Sequence, residues 1–130
     1  MTTPQHQYEK LEIAGSGNFG VVWRGYDNIL DRTVAIKTIR TSENSRTSIL
    51  REARNMARFR HPNIIAVHHL YEENNEANIV MDWVPRTLEN RLIEEGPLKS
   101  DDALNMMVQI CSAVSHAHIM HNMFHRDLKP

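Results

Sequence analysis

Apolar and polar positions change their period along this chain, and each change marks an element. From Tyr8 to Ala14 and from Val21 to Asp27 the residues favour strands, and three glycines, Gly15, Gly17 and Gly20, stand between them in the stretch AGSGNFGVVW. In TVAIKTI, Thr33 to Ile39, the alternation puts Val34, Ile36 and Thr38 on one face of a third strand and Ala35, Lys37 and Ile39 on the other. The period then lengthens. Between Asn44 and Arg60, Ile49, Ala53, Met56 and Ala57 recur at helical spacing. A short apolar run, Ile79 to Met81, reads as a strand, and two helices come after it at Thr87 to Glu95 and Asp101 to His121. In the last helix only Asn105, Gln109, Ser112 and His116 form a continuous polar stripe. Leu104, Met107, Ile110, Cys111 and Val114 belong to a broad apolar arc of the kind found on a helix covered on most sides, and the covering residues are expected outside this chain.

Composition narrows the classes without choosing among them. With 41% hydrophobic and 24% charged residues in 130, the chain has a globular composition and about one domain's length. A net charge of −1 with scattered basic residues leaves no electrostatic footprint for nucleic acid or an anionic membrane. The lone Cys111 rules out an internal disulfide and fits a reducing compartment, and the start MTTPQHQYEK has no apolar signal core. These features predict a cytoplasmic protein with no membrane segment, with residues 1–7 as a solvated tail.

The residues after the glycines limit the ligands those glycines can serve. A dinucleotide-binding loop opens a helix, whereas Val21, Val22, Trp23 and Tyr26 continue as a strand. A P-loop needs Lys and then Ser or Thr after its last glycine, and Val21 and Val22 stand there instead. A hairpin remains, and its bare backbone is either an ordinary flexible turn or a flap able to lie close over phosphates.

Two charged residues sharpen the choice. Ala35 and Lys37 share a strand face about 6.6 Å apart, so a small residue leaves room for a flat ring while a cation reaches toward phosphates attached to it. The other reading is an edge-strand lysine in water. Glu52 interrupts the apolar stripe of the first helix, three residues after Ile49 and four before Met56. Pointing inward it needs a cation, and Lys37 is the available one; at the stripe's edge it snorkels to solvent.

With GSGNFGVV at Gly15, VAIK at Val34, Glu52, HPNI at His61 and HRDLKP at His125, the chain resembles a eukaryotic-type (Hanks-type) protein kinase from Tyr8 to Pro130. The LKP after HRD is similar to serine/threonine rather than tyrosine kinases. The resemblance implies an α+β, protein-kinase-like fold: a small lobe over residues 8–84 with five antiparallel strands, one packed helix and a hinge at about Asp82 to Pro85, then the first helices of an incomplete large lobe over 85–130. It implies that Gly15, Gly17 and Gly20 cover the phosphates of ATP and that Val22 and Ala35 contact adenine. Lys37 would hold the α and β phosphates with Glu52 keeping it in place. Met81 would be the gatekeeper, and the backbones of Asp82 and Val84 the adenine partners. Asp127 would take the proton of a protein Ser or Thr hydroxyl, and Lys129 would stabilise the transferring charge.

The family's Mg²⁺ ligands, an Asn after HRDLKP and the Asp of DFG, are expected beyond Pro130, so no metal ligand is assigned within the 130 residues and the chain by itself is expected not to turn over. Gln109, Ile110, Ala113 and His118 follow the pattern expected before HRD, but the interval from His118 to His125 is one residue longer than in the family. His118, His121 and His125 also have helical spacing, and HNMFH has the H-x-x-x-H spacing of zinc proteases, but Asn122 stands where the general-base glutamate is needed. The rival from another class is a non-catalytic kinase-like module that binds nucleotide or a partner protein.

Overall fold

The computed structural model describes residues 7–123 and 128. Its elements run β1 (Tyr8–Gly17), β2 (Gly20–Asp27), β3 (Arg32–Arg40), α1 (Glu43–Met56), β4 (Val67–Glu73), β5 (Glu76–Asp82), α2 (Leu88–Glu95) and α3 (Ser100–His121). The described residues up to Arg58 form one compact unit with Ala66–Trp83, and Phe59–Ile65 form a second with the residues from Val84 onward.

The first unit is a five-stranded, wholly antiparallel sheet in the order β1-β2-β3-β5-β4, with α1 packed on it. Three tight hairpins join its strands. Asn74 and Asn75, at φ 51° and 61°, turn β4 into β5, the left-handed pair that a two-residue hairpin requires and that asparagine tolerates. Between β2 and β3 the carboxylate of Asp27, fully buried, takes the place of a missing turn partner: its Oδ1 accepts the amides of Ile29 at 3.1 Å and Leu30 at 3.2 Å. The glycine hairpin is tighter than its sequence indicates, because β1 continues through Gly15 to Gly17 and only Asn18 and Phe19 lie outside the strands.

Alternation along β3 divides the sheet's two cores. Val34 and Ile36 pack with Val80 beneath Tyr8, Trp23 and Tyr71. On the opposite face Ile79 and Val67 pack with Ala53 of α1, flanked by Ile39, Met56, Ala57, Leu70 and Met81. Burying a side chain of the size of Ile36 or Val80 contributes about 1.5–3 kcal/mol, so these two small clusters supply much of what holds the sheet and helix together. Half-burial pushes the Tyr71 hydroxyl up to about 12, with the neighbouring Glu73 adding to it.

α1 ends at Met56, short of the Arg60 expected from its pattern. The buried centre of its stripe is Ala53. At about 100° per residue, Glu52 lies a quarter-turn or more from that centre and is exposed, so of the two readings left open by the sequence the structure has the solvent-facing one.

In the second unit, Thr87 caps α2 by accepting the Asn90 amide at 3.1 Å while Asn90 Oδ1 accepts the Thr87 amide at 3.0 Å. Gly96 at φ 79° ends that helix. The turn holding His61 docks on α3: His61 Nε2 lies 3.0 Å from Ser112 Oγ, and its ring sits 5.1 Å from that of His116. No residue of α3 is buried, and Leu104, Val108, Ile119 and Met120 of its apolar arc are exposed.

Candidate nucleotide site

Four of the residues that sequence singled out, Val22, Ala35, Lys37 and Met81, share the α1-bearing face of the sheet. Pairing sets Val22 of β2 opposite Lys37 of β3 and Lys37 opposite Ile79 of β5. One step along, Ala35 stands opposite Met81. Paired residues share a face at a strand spacing of about 4.8 Å, so Val22, Lys37 and Ile79 form one row and Ala35 and Met81 the next. Ala35 is buried, while Val22, Lys37 and Met81 are half-buried. Arg24 of β2 pairs with Ala35 and is bridged to Glu12 of β1, so the face carries two cations, of which Lys37 is the one without an acidic partner among the described residues.

Gly15 pairs with Val22, which pairs with Lys37, so Gly15 ends the row that contains the lysine, two strands away on β1. The three glycines differ in why they are there. A Cβ built at Gly20 would lie 2.3 Å from the Thr38 carbonyl oxygen, and its φ is +115°, so the fold itself requires glycine there. A Cβ at Gly15 or Gly17 would meet nothing within 4 Å. The fold makes no such demand at those two positions, where the space above the backbone is open.

The Lys37 ammonium has no ion pair or hydrogen bond with any described residue. The pairing with Glu52 expected from the sequence is therefore corrected: Glu52 is exposed and does not reach it. The physical reason is the choice of Ala53 as the docking residue of α1 against Val67 and Ile79, which rotates Glu52 off the buried side. Arg46, earlier on the same helix, binds Glu72 of β4 through two hydrogen bonds of 2.6 Å.

At the end of β5, Asp82 is held from two directions. Its amide donates to the Ala66 carbonyl at 3.0 Å, and its Oδ2 accepts the Ala66 amide at 3.2 Å. His68 Nε2 lies 2.6 Å from Asp82 Oδ1. Partial desolvation raises the carboxyl's pKa, but the hydrogen bonds from His68 and Ala66, with the charges of His68 and Arg32, bring it below the ordinary aspartate value. His68 reaches this position because β4 is irregular between Val67 and His69. Neither the bulge nor the pair is visible in the sequence, where His68 and His69 carry no spacing signal. Gly25, also missed, has a readable cause: a Cβ there would lie 2.5 Å from Ile36 Cδ1 and 2.8 Å from the Glu9 carbonyl oxygen, and glycine inside a strand marks such close approaches.

Val84, expected as the second adenine partner, belongs to the second unit and is exposed. Asp127, Lys129 and His125 lie outside the described residues. Among the described residues no group of three His, Cys, Asp or Glu could hold a metal ion, and no helix is long and apolar enough to cross a membrane.

Comparison with known proteins agrees with this arrangement. The protein kinase domain family matches residues 8–130. The chain is 39% identical over 129 residues to serine/threonine-protein kinase PrkC of Bacillus subtilis, covering 95% of this chain and 20% of that protein. It is 38% identical over 130 residues to a probable serine/threonine-protein kinase PknB of Lactococcus lactis, covering 95% of this chain and 21% of the relative. The chain thus spans about one fifth of the length of these relatives. A crystal structure of Rad53 1-466 in complex with AMP-PNP has a TM-score of 0.86 at 27% identity, over 95% of this chain and 33% of that one. The motifs, the five-stranded sheet with its packed helix and these relatives lead to one conclusion: the chain belongs to the protein kinase domain family, as a Hanks-type serine/threonine kinase domain sequence.

Proposed function

We propose that this chain carries the ATP-binding face of an enzyme that transfers the γ-phosphoryl group of ATP to serine and threonine hydroxyls of proteins. The observation that carries the reading is Lys37: a half-buried ammonium without an acidic partner among the described residues, beside a glycine hairpin whose first two glycines leave open space. An unpaired, partly desolvated cation close to backbone that carries no side chain favours a polyanion. The small, buried Ala35 on the same strand face leaves room for a purine ring. The solved relative in complex with AMP-PNP supports the same ligand class.

In this reading Gly15, Gly17 and Gly20 lie over the phosphates, Val22, Ala35 and Met81 contact the base, and the backbones of Asp82 and Val84 receive its edge. Lys37 orients the α and β phosphates. The acceptor oxygen attacks the γ-phosphorus as the bond to the β–γ bridging oxygen breaks; the hydroxyl proton goes to Asp127, ADP leaves, and Lys129 steadies the transferred charge. Magnesium supplies charge neutralisation in this family. The described residues offer no ligand cluster for it. ATP as donor and protein hydroxyls as acceptors fit a cytoplasmic site of action. Phosphoamino-acid analysis of a protein substrate, labelled by the longest natural reading frame that contains this chain, tests the reading: phosphoserine and phosphothreonine are expected, and predominant phosphotyrosine contradicts it.

One observation favours a second reading, a nucleotide- or partner-binding module without turnover. Glu52 is exposed and unpaired with Lys37. Nucleotide binding without phosphoryl transfer in the same assay would decide for it.

A further inference from the structure

We infer that His68 is a positioning residue that sets the preference of the nucleotide site for adenine, acting through Asp82; this rests on the reading of the β5 end as the edge that receives the base. The Asp82 amide is already donated to the Ala66 carbonyl at 3.0 Å, so the group its backbone has to offer a base is its carbonyl, an acceptor. An acceptor matches the exocyclic amino group of adenine and opposes the 6-oxo group of hypoxanthine. How firmly that carbonyl is aimed depends on what holds the residue, because Asp82 is the last residue of β5 and its side chain is about half exposed.

Beyond its pairing with Val34 of β3, the hold comes from His68 of β4 and from Ala66 just before that strand. Asp82 Oδ1 takes the His68 Nε2 contact at 2.6 Å, Oδ2 takes the Ala66 amide at 3.2 Å, and the Asp82 amide closes the ring back to Ala66. Three contacts, two to Ala66 and one to His68, fix both the side chain and the peptide of Asp82. The His68 side chain is 22% exposed against 49% for that of Asp82, so the imidazole is the less solvated partner of the two. The irregularity between Val67 and His69 is what turns that imidazole toward β5 while Val67 remains in the core. Removing the imidazole leaves the Asp82 side chain with Ala66 alone, and the strand end, paired on its other side with Val34, less firmly held at its carbonyl, a loss felt by the base and not by the triphosphate at Lys37.

The test measures the affinities of ATP and inosine triphosphate for the 130-residue chain by displacement of a fluorescent nucleotide. The two ligands share ribose and triphosphate and differ at the base edge. The unmodified chain is expected to prefer ATP. His68→Ala is expected to compress the ratio of the two affinities about three- to fivefold, the scale of a partly exposed hydrogen-bonded ion pair. His68→Gln, whose amide nitrogen can replace Nε2 as donor, should restore the ratio to within about twofold. Asp82→Asn, which keeps an acceptor for Ala66 and loses the charge facing His68, should compress it as His68→Ala does, and it carries the test if His68→Ala does not fold. An unchanged ratio in these variants overturns the inference, as does equal affinity of the unmodified chain for the two nucleotides, while leaving the ATP site in place. Failure of the unmodified chain to bind ATP overturns the reading of the site and the inference with it.

Discussion

Arg46 of α1 grips Glu72 of β4 with both ends of its guanidinium, Nε to Oε1 and Nη2 to Oε2, each at 2.6 Å. The paired geometry holds the Glu72 carboxyl below its usual range and the Arg46 guanidinium above its own, in both cases through the hydrogen bonds themselves. This bridge joins α1 to β4 in the arrangement that leaves Glu52 in solvent. Its exposure limits its strength, because water and salt screen it. Glu72→Gln is expected to lower Tm by a few degrees at most in dilute buffer, with the difference shrinking in about 0.5 M salt. A large loss that salt does not touch would mean the bridge is part of the core.

The three glycines should separate in mutation. Gly20→Ala forces a side chain into +115° backbone 2.3 Å from the Thr38 carbonyl oxygen, and is expected to cost about 1–3 kcal/mol of stability by denaturant melt. Gly15→Ala and Gly17→Ala meet nothing within 4 Å and should stay within about 0.5 kcal/mol of the unmodified chain while weakening nucleotide binding. Equal destabilisation at all three positions would contradict the division between a fold glycine and site glycines.

The fold is legible in the sequence where a period is clean. The alternation Val34, Ile36, Thr38 against Ala35, Lys37, Ile39 gives β3 its two faces, and the structure has the first set buried and the second set facing α1. Glu52 stays ambiguous in the sequence because a helix stripe has edges. The residue at the stripe's centre is fixed by which β5 and β4 side chains it meets, Ile79 and Val67, and that pairing is tertiary. Asp82 is legible from its position after the apolar run, yet its partner His68 is out of reach of pattern reading, since a bulge leaves no trace in hydrophobic alternation. The buried Asp27 is hidden for a similar reason: its role appears only when the amides of Ile29 and Leu30 fold back on it.

That turn carries its own prediction. Asp27→Ala removes the acceptor of two turn amides inside a fully buried site and is expected to cost about 1–3 kcal/mol. Asp27→Asn keeps an Oδ1 acceptor and should be milder in the same melt. An Asn variant as unstable as the Ala variant would place the importance of Asp27 in its charge rather than in the turn.

Asp82 predicts a pH dependence of definite sign. Its carboxyl titrates below the ordinary value in the folded protein, so ionised Asp82 stabilises the fold at pH values above the unfolded value of about 3.9. That contribution is lost as pH falls from about 4 through the lowered folded value. The stability gap between the unmodified chain and Asp82→Asn should therefore close as the pH is lowered from about 4. A gap that widens in acid would reverse the sign.

Lys37 is the residue on which the nucleotide site depends most directly, and the deciding measurement is the affinity of the 130-residue chain for ATP before and after Lys37→Met. The substitution removes a half-buried charge that has no partner among the described residues, so circular dichroism and Tm should hardly change. Loss of a charge-assisted contact to phosphate is expected to weaken ATP about tenfold or more. Equal ATP affinity in the folded variant would contradict the assignment of the Lys37 face as the phosphate site.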